Sequence, residues 1–369
     1  MKRQQEVFAL SPLFSLGTAA PYQRLSRTRS ELMGFAMIWV MLFHAYGLTF
    51  RFKPLNAFRQ VGYSGVDIFL LLSAMGIYVS LSRANAQEGR GGLGRFYARR
   101  LIRVLPAFWL VVGAYSLFLV QKGRIGWDTL LWNLSALYYW FQIPGTFNWY
   151  IPALLAFYLL APFYVKLFRR CPDNRKALLT AASLPFSYLL YRIVVRLGLS
   201  FFVCRLPAFA MGILLGYYLV SGQPFTRRHA AVWGAFSLAG LLAYFPYAAG
   251  KVYFSPSYLT ASQLVPLCLL LSLVLEKLPN RVRALLRLLG ECSLEIYLFN
   301  VVLTREFDLL APCLNLGPRH RFYYLVVDSA NLLLGIGLHE LLSRLLPSAS
   351  GAPALNQKPQ ESVSYSSRH

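Results

Sequence analysis

The sequence predicts an all-α, polytopic integral membrane protein, and three observations lead to this fold class. The 369-residue chain is 57% hydrophobic and only 14% charged. Apolar runs of about 20 residues, long enough to cross about 30 Å of hydrocarbon as helices, recur along the chain. Lys and Arg cluster in the polar segments between these runs. In a soluble protein the net charge of +23 would favour nucleic-acid binding, whereas basic loops beside apolar spans are expected to set topology and contact anionic membrane lipids.

Hydropathy predicts about ten transmembrane helices and one shorter apolar segment. Segment 129–143 is too short to span, and we interpret it as re-entrant or interfacial. With the N- and C-termini both cytoplasmic, most Lys and Arg fall in inner loops, as the positive-inside rule requires. Counting 129–143 as a span would place the basic RRCPDNRK segment outside. The ten predicted spans are 31–50, 63–82, 104–121, 149–168, 177–199, 200–220, 230–249, 257–276, 290–311 and 323–346.

The chain divides into one membrane domain and two polar ends. Residues 1–30 are expected to form a cytoplasmic N-terminal segment, and residues 31–346 form the transmembrane domain. The tail 347–369 is rich in Ser, Pro and Gly, a composition typical of a disordered cytoplasmic segment.

His44 is the most informative residue, because it lies about 13 residues into the first span. An ionisable side chain in hydrocarbon costs at least ~2.5 kcal/mol, so a protein that keeps one there usually uses it. Histidine titrates near neutral pH, which suits proton transfer. We therefore predict that His44 is functional and lies in the outer half of the membrane.

Other spans place polar residues at a similar depth. Asp67 lies near the outer end of the second span, Arg205 near that of the sixth, and Asn148 precedes the fourth. Together with His44 they would supply a base, an orienting carboxylate and a cation or amide that stabilises negative charge. The alternative is that each residue only reaches headgroups or caps a helix.

A second group of charged residues is predicted on the inner side. Arg95, Arg99, Arg100 and Arg103 are spaced by three or four residues on one helix, so they would present a cationic face suited to phosphates. The simpler explanation is that these arginines set the orientation of the helix in the membrane and contact lipid headgroups. Glu291 and Glu295 would lie near the same side, where one of them is a possible ion-pair partner for these arginines.

Several common chemistries are disfavoured. The chain has no Walker loop, GxGxxG, HExxH or GxSxG motif, and its five cysteines show no CxxC spacing. We therefore expect neither a disulfide framework nor a metal site.

Three ordered motifs resemble the membrane acyltransferase-3 family. WVMLFH ends the first span, GVDIFLLLS forms the second and RRLIRVLP opens the third, while WYIPALLAFYLLAPF, RLPAFAMGILLGYYL and LGECSLEIYLFN are later echoes. The resemblance implies transfer of an acyl group, in the simplest case acetyl, from cytoplasmic acyl-CoA to a hydroxyl of a glycan or other surface molecule in a bacterial cytoplasmic membrane. His44 matches the family's essential histidine, Asp67 its Gly-Val-Asp acid, and Arg95, Arg99, Arg100 and Arg103 the loop assigned to the acyl-CoA side.

The chain departs from the family pattern at three positions. Met33 stands where many members have an arginine, Ala74 where a glycine is usual and Asn300 where a histidine is frequent. Another cation, such as Arg205, would have to replace the arginine, or activity is altered. Two further hypotheses therefore stay open. One is a secondary transporter or flippase for an anionic metabolite, and the other is a catalytically inactive relative that acts as a membrane partner.

Overall fold

The computed structural model describes residues 16–87, 92–144, 148–306 and 321–346, and the regular elements within these ranges are all helices. The predicted all-α membrane fold is thereby confirmed. The predicted tail 347–369 and residues 1–15 lie outside the described residues. In chain order the helices are α1 (Ala20–Arg27), α2 (Arg29–His44), α3 (Lys53–Gln60), α4 (Gly65–Gln87), α5 (Gly92–Gln121), α6 (Trp127–Ser135), α7 (Tyr138–Phe141), α8 (Tyr150–Arg170), α9 (Asp173–Val194), α10 (Ser200–Val203), α11 (Leu206–Val220), α12 (Arg227–Ala248), α13 (Ser257–Lys277), α14 (Asn280–Glu291), α15 (Ser293–Leu303) and α16 (Arg321–Leu345).

Eight helical segments in the described part of the chain are long and apolar enough to cross a membrane. The other two predicted spans contain the shorter helices α2, of 16 residues, and α15, of 11 residues. The predicted short segment 129–143 overlaps α6 and contains α7. These helices have nine and four residues and are too short to cross at about 1.5 Å per residue.

Helices α4 and α11 form the centre of the bundle, where most of their side chains are buried. The two helices approach closely because Gly212 and Gly216 face α4. A Cβ at Gly212 would overlap the carbonyl oxygen of Leu71, and one at Gly216 would meet the carbonyl oxygen of Met75. Lipid tails are as apolar as the helices, so the hydrophobic effect does not drive helices together in a membrane. Association depends on van der Waals packing, and small residues allow the helices to approach closely.

Helix α2 runs parallel to α14 and α15 along its whole length. Gly34 packs against the backbone of Leu286, and Gly290 packs against the backbone of Ser30. Ten residues further along each helix, His44 meets Asn300. From Gly34, which lies beside Gly290, to His44, which lies beside Asn300, the residue numbers rise by ten on both sides, so α2 runs parallel to the α14–α15 segment. Residues 280–287, which lie between two of the predicted spans, belong to α14.

The alternating helices define two faces of the bundle. We call the end that holds His44, the start of α4 and the start of α11 the histidine face. The opposite end is the arginine face, which holds the starts of α2, α5 and α14. Here fully buried Glu31 pairs with Arg283 at 3.3 Å and Arg287 at 2.8 Å. Along the sides of the bundle, α9 and α12 expose most of their apolar residues, as helices in contact with lipid do.

Candidate functional site

A cavity of about 660 Å³ opens at the histidine face, and we call it the histidine cavity. It forms where α2 ends and where α4, α8, α11 and α13 begin. Aromatic rings form much of its wall, and a few polar side chains interrupt them, as in many binding sites for small molecules. Among the lining residues are His44, Tyr63, Trp149, Phe201, Arg205 and Tyr297.

His44 is half-buried in the wall of this cavity, and its ring is held by a neighbouring helix. Its Nδ1 lies 2.5 Å from Oδ1 of Asn300, a residue with no exposed surface. The amide oxygen accepts a hydrogen bond, so Nδ1 carries the proton. The other ring nitrogen, Nε2, is then unprotonated and able to accept a proton. The last residue of α2 is thus held in the tautomer of a general base.

Asn300 replaces Asp67 as the hydrogen-bonding partner of His44. The sequence-based hypothesis used Asp67 to orient the ring, whereas the structure places the Asp67 carboxylate against Arg205. The signal for Asn300 was present in the chain, because an amide in the apolar run SLEIYLFNVVL needs a partner. Hydropathy alone does not show which partner it finds.

Asp67 and Arg205 form a buried ion pair beside the cavity. Arg205 Nε lies 3.2 Å from Asp67 Oδ1, and the side chains are only 3% and 2% exposed. Thr260 donates from Oγ1 to the other carboxylate oxygen at 3.4 Å. Two charges taken out of water need such mutual compensation. The contact joins a polar residue of the second predicted span to one at the start of α11, within the sixth.

Arg205 is also fixed by its aromatic and backbone neighbours. Its guanidinium carbon lies 4.4 Å from the centre of the Trp149 ring, a cation–π contact. Nη1 donates to the carbonyl oxygen of Phe201 at 2.9 Å, and Trp149 stacks on the Phe201 ring. A cation immobilised in this way at a cavity wall suits the stabilisation of negative charge that develops during a reaction.

Asn148 lies close to this cluster but does not line the cavity. Its Oδ1 accepts hydrogen bonds from the backbone N–H groups of Tyr150 at 3.0 Å and Ile151 at 3.4 Å. These are donors left without intrahelical partners at the start of α8. Its geometry is therefore that of a helix cap, which leaves Arg205 as the predicted stabilising group that lines the cavity.

On the arginine face the four predicted arginines do not form one cationic surface. Arg103 donates from Nη1 and Nη2 to the carboxylate of Glu295 and from Nη2 to the Glu291 carbonyl oxygen at 2.9 Å. Arg95 and Arg99 are exposed near the start of α5. Arg100 lies over the rings of Phe96 and Tyr158. The four separate because α5 enters the bundle and turns its later residues towards α15.

Met33 and Arg205 lie at different ends of the molecule. Met33 is eleven positions before His44, or about 16 Å along α2. Arg205 lines the histidine cavity beside His44. Arg205 therefore does not occupy the place of the family arginine. Within the described ranges, no three His, Cys, Asp or Glu side chains are grouped so that they could hold a metal ion.

These features define the class of the molecule as a multi-pass membrane protein with a histidine-containing cavity at one face and an arginine-rich face opposite. The sequence profile of an acyltransferase domain, acyltransferase-3, matches residues 32–310. The chain belongs to the acyltransferase-3 family. Comparison with curated proteins and with solved structures gives no match.

Proposed function

We propose that the protein is a membrane-embedded O-acyltransferase of a bacterial cytoplasmic membrane. It would move an acyl group, in the simplest case acetyl, from cytoplasmic acyl-CoA to a hydroxyl of an extracytoplasmic glycan or other surface molecule. The observation that carries this proposal is His44, with Nδ1 bonded to Asn300, in a cavity that Arg205 also lines. A base and a fixed cation in one cavity suit acyl transfer to a hydroxyl.

In the proposed reaction the acceptor hydroxyl oxygen attacks the thioester carbonyl carbon. Its proton passes to Nε2 of His44, and Arg205 stabilises the negative charge on the carbonyl oxygen. The carbon–sulfur bond then breaks, and the leaving thiolate takes the proton from His44. Asn300 holds the ring during both proton transfers, because its oxygen continues to accept from Nδ1.

The two faces divide the substrates between them. By the positive-inside rule the arginine face is cytoplasmic, where acyl-CoA is available. The histidine cavity then opens on the other side, where a surface hydroxyl is presented. For this direct attack, the thioester end of the donor would have to reach through the bundle from the arginine face to His44.

The test uses purified protein in nanodiscs with radiolabelled acetyl-CoA and cell-envelope glycan. We expect label on the glycan with the native protein and none with His44→Ala. The matched control is His229→Gln, because His229 contacts Tyr22 near the start of α12 and lies far from the histidine cavity. This variant should label the glycan normally.

Equal labelling by native protein and His44→Ala would contradict the role of His44. Accumulation of an anionic metabolite in proteoliposomes without acylation would instead favour transport. Absence of both transport and label with several acyl donors would favour the inactive relative.

A further inference from the structure

Arg29 reaches from the start of α2 into the contact between α2 and α4. Its Nε donates to the carbonyl oxygen of Leu72 at 3.3 Å. The guanidinium lies against Gly76, where an added Cβ would be 3.8 Å from its nitrogen atoms. That distance is an ordinary van der Waals contact, so the charged group lies directly alongside α4 at this position. The Arg29 charge therefore lies between α2 and α4, inside the bundle from its arginine face.

Arg100 extends towards the same region from α5. Its guanidinium carbon lies 5.5 Å from the ring centres of both Phe96 and Tyr158. Arg29 interacts electrostatically with Arg100 and with Tyr158. Two like charges from different helices are thus brought together around one buried tyrosine.

Several arginines on this face have carboxylate partners, and Arg29 and Arg100 differ from those. Arg24 lies 2.7 Å from Glu276, Arg287 lies 2.8 Å from Glu31, and Arg103 is held by Glu295. Within the described ranges, Arg29 donates to a backbone carbonyl and lies near Tyr158, and Arg100 lies over aromatic rings, but neither has a carboxylate in an ion pair. Two partly desolvated, repelling cations are costly unless an anion joins them.

We propose that Arg29 and Arg100 together bind phosphate of the acyl-CoA donor, which rests on the function proposed above. Guanidinium groups bind phosphate through paired charge-assisted hydrogen bonds. The assignment changes the predicted donor site, because it adds Arg29 from α2 and removes Arg103, which is committed to Glu295. The shared chemistry would also suit a lipid headgroup. The position of Arg29 between α2 and α4, away from the bundle's lipid-facing sides, favours the soluble donor.

Equilibrium binding of CoA, measured by calorimetry on the full-length protein in phosphatidylcholine nanodiscs, tests the proposal. Arg29→Gln and Arg100→Gln should each raise the Kd for CoA at least tenfold. Arg29→Lys, which keeps the charge, should raise it less. Arg27→Gln is the control, because Arg27 is 61% exposed and pairs with Glu276 at 3.5 Å. This variant should bind CoA normally, and pantetheine, which lacks phosphate, should bind the native protein and Arg29→Gln alike.

The outcomes separate this inference from the proposed function. CoA binding that is equal in native protein, Arg29→Gln and Arg100→Gln overturns the inference even if His44-dependent acyl transfer is observed. Arg29-dependent CoA binding supports it even if transfer fails. Arg29-dependent retention of phosphatidylglycerol in native mass spectrometry, with no CoA binding, assigns the site to a lipid and overturns the donor assignment. Arg29→Gln and Arg100→Gln are independent variants, and each should elute as a single symmetric peak in size-exclusion chromatography, which shows that lost binding is not caused by misfolding.

Discussion

Replacing Asn300 tests whether the orientation of His44 matters for catalysis. Asn300→Leu keeps a similar volume in the buried position but removes the oxygen that accepts from Nδ1. A buried donor that loses its partner costs about 1–3 kcal/mol. If that cost appears in the transition state, kcat should fall roughly 5- to 150-fold. The KM for acyl-CoA should change little, because Asn300 lies at the histidine face and far from the arginine face.

The assay is steady-state transfer of labelled acetyl groups in nanodiscs, with Asn300→Asp as the second variant. The aspartate keeps an oxygen that accepts from Nδ1, so it should retain more activity than the leucine. Full kcat in Asn300→Leu would refute the argument that this hydrogen bond holds the base. A rise in KM with unchanged kcat would refute it as well, because it would indicate a loss of binding and no loss of orientation.

Two further predictions concern stability in detergent, measured as the melting temperature of purified protein. Asp67→Asn leaves the buried Arg205 charge without its partner and should destabilise the protein by about 3–5 kcal/mol. The control Glu340→Gln, whose partner Arg344 is 80% exposed and which is itself 56% exposed, should show no measurable change, and equal melting of the two variants would contradict the assignment. Gly212→Ala should destabilise by about 1–3 kcal/mol, because its Cβ would overlap the Leu71 carbonyl oxygen. Gly234→Ala, with open space around it, should melt like the native protein, and Gly212→Ala melting no lower than this control would count against close packing of α4 and α11.

The candidate site could be predicted in part because some of its features are local. His44 stands out in an apolar run, and Asp67 and Arg205 were placed at one depth by counting residues along their spans. Their ion pair agrees with that depth. The tautomer of His44 was not predictable, because it depends on Asn300, 256 positions later in the chain. Asn300 is one of the positions that depart from the family pattern, and it contacts the family histidine.

The arginines show the same limit at the other face. Helical spacing correctly places Arg103 one turn from Arg99 and Arg100, yet spacing does not show which of them meets Glu295, 192 positions away. It also gave no reason to include Arg29, which precedes the motif by about 70 residues. That contact depends on the packing of α2 against α4, where Arg29 Nε donates to the carbonyl oxygen of Leu72.

The sequence by itself determined the class of this protein. A helix in lipid must satisfy its own backbone hydrogen bonds, so each span is a local property that hydropathy reveals. The tertiary structure alone decided which polar groups meet. Those contacts depend on how each helix is rotated and where glycine permits close approach, as at Gly34 with Leu286 and Gly212 with Leu71. The sequence shows that His44, Asn300, Arg205 and Arg29 are polar residues in or beside apolar runs. Helix packing decides which partner each of them meets.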